Sequence, residues 1–88
     1  MSTVYITCKV LPGLFENEFY VMVNHSAAYY VNKKIVKVSQ EPKSGAPVDG
    51  TVLGYVVEQG SKQSLVQFPG EVVVGGLRTW VENEEINA

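Results

Sequence analysis

Short runs of alternating residues, broken by glycine and proline, constrain this chain more than any other feature. No window of helical length carries apolar residues at i, i+3, i+4 and i+7, whereas period-two alternation recurs along the sequence. Successive side chains of a strand face opposite ways, so such runs can bury one face and wet the other. Residues 3–10 place Val4, Ile6, Cys8 and Val10 on one face and Tyr5, Thr7 and Lys9 on the other. Residues 18–23 repeat the pattern, with Phe19, Val21 and Val23 opposite Tyr20 and Met22. Further β-rich runs fall at 29–31, 34–38, 51–58, 64–68, 71–74 and 77–81. The chain reads as all-β, with about six short antiparallel strands.

The breaks between runs carry their own chemistry. Pro12-Gly13 suits the centre of a type II turn, because proline presets the first φ and glycine accepts a positive second one. Asn24-His25-Ser26 reads as a polar turn, and Asn32-Lys33 as a bend or bulge in an edge segment whose lysines discourage unwanted pairing. Residues 40–50, QEPKSGAPVDG, hold two prolines and two glycines and predict a flexible loop. The turn Gln59-Gly60-Ser61-Lys62 joins the runs 51–58 and 64–68 into a hairpin. Gly75-Gly76 predicts a second hairpin, of type I′, joining 71–74 to 77–81. Residues 82–88 form a short acidic tail with a helical turn expected around Ile86.

A chain of 88 residues has room for one core, so residues 1–88 are read as a single β-barrel domain and not as two units joined at 40–50. Closing the sheet would remove its exposed edges. The second half, TVLGYVVEQGSKQSLVQFPGE followed by LRTWVENEEI, resembles an SH3-like small barrel across roughly residues 48–86. Such barrels occur in KOW modules, in photosystem and ribosomal accessory subunits, and in plasmid-type dihydrofolate reductases. The resemblance implies a small, partly open SH3-like barrel, with an OB-like barrel as the structural alternative. It is a resemblance of fold and transfers no function. Val66-Gln67-Phe68 is similar to a strand of the reductases, but Pro69 stands where that family carries another large residue.

Several functional classes lack their residues. The single Cys8 and single His25 provide neither an intramolecular disulfide nor a zinc ligand set, so no metal and no cofactor are expected. The alternation of the first run makes Cys8 a small buried hydrophobe, while His25 falls in an exposed turn. The carboxylate pairs Glu16 with Glu18, and Glu82 with Glu84 and Glu85, read as solvated faces. Glycines 70, 75 and 76 precede a strand, not a helix, which excludes phosphate-cradling motifs. No apolar run approaches the length of a membrane-spanning helix, and no export signal opens the sequence. The expectation is a non-enzyme in a reducing, cytoplasmic setting.

Binding remains. Leu14 and Phe15 lie in a predicted turn that has no evident reason to carry two large apolar side chains, so the turn either folds back on the core or docks a partner. Tyr55, Arg78 and Trp80 add residue types that often dominate interface energy. Trp80 itself is expected to pack inward, with Leu77, Thr79 and Val81 on the other face of its strand. These five residues are the candidates for protein binding by an interaction module or accessory subunit, with homo-oligomerisation as a further expectation. The alternative is nucleic-acid binding through Tyr29, Tyr30, Lys33, Lys34 and Lys37, which combine stacking groups with phosphate-tracking charge. The net charge of −2 works against it, although Lys33, Lys34, Lys37 and Lys43 face only Glu41 between residues 24 and 48. Residues 70–88 carry the opposite imbalance, with Arg78 against Glu71, Glu82, Glu84 and Glu85.

Overall fold

The computed structural model describes residues 2–87. The alternating runs become strands β1 (Ser2–Pro12), β2 (Glu18–Val23), β3 (Ala27–Asn32), β4 (Val36–Val38), β5 (Val48–Gln59), β6 (Gln63–Gln67), β7 (Glu71–Val74), β8 (Arg78–Glu82) and β9 (Ile86–Asn87). They form one antiparallel sheet of order β7-β3-β2-β1-β5-β6-β8, curled into an open half-barrel compatible with a small SH3- or OB-like barrel. Strands β1 and β5 pair along most of their length, from Ser2 opposite Val56 to Val10 opposite Val48. Their outer edges are each shared by two short strands in tandem. Strand β1 takes β2 near Lys9–Pro12 and β9 at Tyr5 and Ile6. Strand β5 takes β4 at Gly50 to Val52 and β6 beyond Tyr55.

One face of this sheet is the core. Val4, Ile6, Cys8 and Val10 of β1 point inward with Phe19, Val21 and Val23 of β2, as the alternation requires. Ala27, Tyr29 and Val31 from β3, Val48 and Val52 from β5, Val66 and Phe68 from β6 and its end, and Val81 from β8 complete the cluster. Tyr29 and Phe68 stack with ring centroids 4.7 Å apart and planes 29° apart. The Tyr29 hydroxyl donates to the Gly76 carbonyl at 2.7 Å and lies 2.9 Å from Thr79 Oγ1, so its polar end is satisfied inside the apolar cluster. Strands β3 and β8 share no ladder, and this bond joins them across the interior.

Several local expectations require correction. Strand β1 continues through Pro12, and Gly13 does not take the positive φ of a type II turn. The reversal lies instead at residues 14–17, where Glu18 N–H donates to the Phe15 carbonyl at 3.2 Å. The flexible loop expected at 40–50 is shorter and tied down. Strand β5 already begins at Val48, Lys43 bridges Ala46, Pro42 is buried, and Ser39 N–H donates to the Asp49 carbonyl at 3.1 Å. Asn32 ends β3 as expected, because its side chain caps a 3₁₀ turn, Lys33–Ile35, by accepting from Lys34 N–H at 2.9 Å. The acidic tail expected at 82–88 is held to the sheet over its described residues, 82–87, with its helical turn just before Ile86. Glu82 ends β8, Asn83–Glu85 form a 3₁₀ turn, and Ile86 pairs with Ile6 of β1. Asn83 anchors this segment: its N–H donates to the Lys62 carbonyl at 2.8 Å, its amide to the Gly60 carbonyl at 2.9 Å, and its Oδ1 accepts from Ser64 Oγ at 2.7 Å.

The largest correction concerns Gly75-Gly76. Both glycines take positive φ, 91° and 82°, yet the strands they join do not pair with each other. Strand β8 pairs with β6, and the pairing extends to Phe68 N–H donating to the Leu77 carbonyl at 3.3 Å. Residues 69–76 are thus a long loop between β6 and β8. Its middle, β7, reaches back to pair with β3 at the opposite end of the sheet. A local turn signal was right about backbone conformation and wrong about partners.

Candidate interaction surfaces

The β1–β2 connection holds Leu14 and Phe15 outward. Glu18 organises it: its Oε1 accepts from Leu14 N–H at 3.1 Å and from Phe15 N–H at 3.3 Å, and its carbonyl accepts from Gly13 N–H at 3.2 Å. Lys33 N–H donates to the Asn17 carbonyl at 3.0 Å and ties the turn to the start of the 3₁₀ turn. Glu18 thus holds the backbone N–H groups of Leu14 and Phe15, while the two side chains stand in solvent, 72% and 70% exposed. They do not fold back on the core. A cleft of about 230 Å³ beside them is bordered by Phe19, Lys33, Glu41 and Pro42.

A second surface arises on the outer face of β5, β6 and β8. Ser64, Val66, Thr79 and Val81 take the inward positions, which leaves Gln63, Leu65, Gln67, Arg78, Trp80 and Glu82 outward. Trp80 is therefore not in the core: it is 44% exposed, opposite Leu65 in the ladder. The inward places beside it went to residues small enough to fit under Tyr29. Cross-strand bonds flank the indole on both sides. Arg78 Nε donates to Gln67 Oε1 at 2.9 Å, and Gln63 Nε2 donates to Glu82 Oε1 at 3.0 Å. Tyr55, opposite Gln67 on β5, extends the same row. Three of the expected binding residues, Tyr55, Arg78 and Trp80, thus share one sheet face, and Leu14 with Phe15 stand apart on a hairpin tip. A shallow depression of about 460 Å³ next to Trp80 is lined by Ser61, Lys62, Gln63 and Glu82.

The sequence pattern missed a third surface. All four residues of β7 are exposed, and Val72, Val73, Val74 and then Leu77 present apolar side chains to solvent. The run Glu71-Val72-Val73-Val74 reads only as one arm of the hairpin expected at Gly75-Gly76. An apolar run without alternation is the pattern of a strand buried on both faces, so no signal in the sequence marks this one as exposed.

The basic segment is dispersed by its packing. Tyr29 is fully buried and cannot stack on a base, which removes it from the nucleic-acid candidates. Tyr30 faces outward on the other side of β3, as alternation predicts, and packs against Tyr20 with centroids 5.2 Å apart. Lys33 Nζ sits 5.0 Å from the Phe19 ring centroid and Lys37 Nζ 4.2 Å from that of Tyr5, so two lysines lie over aromatic faces on different strands. Lys34 is exposed. Lys9 and Asp49 form an exposed ion pair across β1 and β5.

Among the described residues, no group of three His, Cys, Asp or Glu side chains is placed to hold a metal ion, and no helix is long and apolar enough to cross a membrane. Cys8 is free and buried, and burial pushes its thiol up to about 12. Burial also raises Tyr29, with the Thr79 bond partly opposing. Both groups ionise more readily in the unfolded chain; the Cys8 contribution is present below about pH 9 and is lost as pH rises from about 9 towards about 12, and Tyr29 adds a loss of the same sign at alkaline pH. The denaturation midpoint should fall across that window, and Cys8→Ala should make the fall shallower. At pH 8 a thiol reagent should label Cys8 only in denaturant; labelling of the native protein at the rate of a free thiol would contradict this burial.

No protein-family model matches the chain, and neither a curated protein nor a solved structure does.

Proposed function

We propose that the protein is a small non-catalytic interaction module, an accessory subunit that docks a protein partner through Leu14 and Phe15. The observation that carries this reading is a pair of large apolar side chains held in solvent by a turn whose backbone is clamped by Glu18. A clamped turn supports binding because little conformational freedom is left to lose when the side chains enter an apolar pocket. Tyr55, Arg78 and Trp80 offer a second contact face of the residue types that dominate interfaces. The buried, free Cys8 suits a reducing, cytoplasmic setting.

The nucleic-acid reading loses support with Tyr29 in the core and with Lys33 and Lys37 engaged over rings. One experiment separates the two. The tagged protein and its Leu14→Ala, Phe15→Ala double variant are used to recover partners from host lysate, with and without nuclease. A protein recovered by wild type, resistant to nuclease and lost with the double variant is the expected result. The variant's melting temperature should stay within a few degrees of wild type, because exposed substitutions usually cost no more than about 0.5 kcal/mol each. Recovery that collapses with nuclease or with salt, and ignores the double substitution, would assign the Tyr30 to Lys37 segment to phosphate instead.

A further inference from the structure

We infer that the outward face of β6 and β8 around Trp80 is a binding site for a neutral saccharide, whose ring stacks on the indole. This assigns a ligand to a face too narrow to give a protein more than a secondary contact, and it does not depend on docking through Leu14 and Phe15.

The indole is the centre of the site. Trp80 is 44% exposed, and with Leu65 opposite it forms an apolar strip two side chains wide. One step of two residues along the strands to either side, about 7 Å, a polar pair closes the strip. Arg78 Nε donates to Gln67 Oε1 at 2.9 Å on one side, and Gln63 Nε2 donates to Glu82 Oε1 at 3.0 Å on the other. These cross-strand bonds hold four planar polar groups in place, so little freedom is lost when a ligand arrives. They also leave hydrogen-bonding capacity over. Arg78 keeps its terminal Nη donors and Gln67 its amide N–H groups, while Glu82 keeps its second carboxylate oxygen and Gln63 its Oε1; among the described residues no other side-chain bond engages them. Donors therefore predominate beyond one edge of the indole and acceptors beyond the other.

This arrangement selects the chemistry of the ligand. A pyranose ring has an apolar C–H face that can lie on an indole, and its hydroxyls, each both donor and acceptor, project from the ring's edge towards such groups. The strip is too small for the core of a standard protein interface, which takes roughly 800 Å² per partner. Charge disfavours phosphate. Lys62 and Arg78 around the indole are balanced by Glu82 and by Glu58, which stands opposite Leu65, and the whole chain carries −2. A site that stacks nucleic-acid bases on an aromatic ring also needs a positively charged groove to track the backbone. The same balance favours an uncharged sugar over an acidic one. The depression beside Trp80 has a volume of about 460 Å³, inside the range of about 300–1,000 Å³ usual for small-ligand sites, and its openness makes the binding weak. Tyr55, opposite Gln67 on β5, stands two strands across and one step along from Trp80, about 12 Å away. A second ring at that distance favours an oligosaccharide over a single sugar.

Trp80 is the only tryptophan, so its indole N–H resonance reports on this site alone. The protein is titrated with three neutral trisaccharides, maltotriose, cellotriose and triacetylchitotriose, while NMR follows the indole and the backbone amides of β6 and β8. At least one of the three should give a saturable shift, stronger than that from glucose and little changed by added salt. Trp80→Ala, followed through the amides, should weaken binding at least tenfold, and Trp80→Tyr should retain part of it. Arg78→Ala and Glu82→Ala should each weaken it about three- to tenfold, as expected for the loss of a hydrogen bond. Circular dichroism checks that these exposed substitutions leave the fold intact. No saturable shift with any of the three sugars, or a shift that Trp80→Ala leaves unchanged, would overturn the inference. So would single-stranded DNA that moves the same resonances more strongly and lets go as salt rises, which would give this face to nucleic acid. The Leu14→Ala, Phe15→Ala variant should bind the sugar as wild type does, so the two proposals fail separately.

Discussion

Phe68→Ala should cost about 3–5 kcal/mol, the usual price of emptying a buried phenylalanine site. Against a total stability of about 5–15 kcal/mol for a domain, that is enough to populate the unfolded chain substantially. The reason is position as well as size. Phe68 is fully buried at the end of β6, and its ring stacks on Tyr29 of β3. Strands β3 and β6 are separated in the sheet by β2, β1 and β5, so this stack fastens one wing of the curl to the other. Removing it leaves a cavity and also unseats Tyr29, whose hydroxyl bonds Gly76 and Thr79 depend on the ring's placement. Thermal unfolding should shift down by roughly 12–40 °C, taking the 4–8 °C per kcal/mol of a domain this size. Trp80→Ala, at an exposed site, is the control and should cost far less. Equal losses for the two variants would show that the interior is not organised around the Tyr29–Phe68 stack.

The second large effect is at Gly75. Its φ is 91°, and a Cβ added there would stand 2.3 Å from the Ser26 carbonyl oxygen and 2.9 Å from the Ala27 Cα. Both are backbone atoms that cannot swing aside. Gly76 has a similar φ of 82° but open space within 4 Å of its Cβ position. Comparing Gly75→Ala with Gly76→Ala therefore separates strain from collision. Gly76→Ala should cost about 1–2 kcal/mol for the left-handed backbone alone. Gly75→Ala should cost more, about 2–4 kcal/mol, or else release β7 from β3, since strained backbone persists only where its surroundings hold it. Denaturant titration gives the difference in stability, and amide exchange on β3 reports whether β7 has detached. Equal costs with unchanged protection of β3 would mean that the close approach of the loop to Ser26 and Ala27 is not part of the fold.

Gly75 also marks where local information stops. Two glycines between β-rich runs call for positive φ, and both have it. The same dihedrals serve a tight hairpin and the shoulder of a longer loop, and nothing in residues 71–81 distinguishes them. The choice is made at a distance: β6 is a better partner for β8, aligning Gln67 with Arg78 and Gln63 with Glu82, and the uncovered edge of β3 receives β7. Trp80 teaches the same lesson for faces. Alternation divides residues 78–82 into Arg78, Trp80 and Glu82 against Thr79 and Val81, but not which set turns inward. Hydrophobicity favoured the indole; the interior accepted Thr79, whose hydroxyl meets Tyr29.

The sequence by itself determined the all-β class, most strand positions, the inward set of β1 and β2 and the burial of Cys8, but not whether Leu14 and Phe15 fold back on the core or stand outward. These follow from period-two alternation and from residues whose preferences act within a few positions of themselves. Tertiary structure decided which strands pair, which face of β8 is inside, that Tyr29 is sealed in the core, and that β7 is left as an exposed apolar edge. Each of these depends on contacts between segments tens of residues apart, where burial and hydrogen-bond satisfaction outweigh any local propensity.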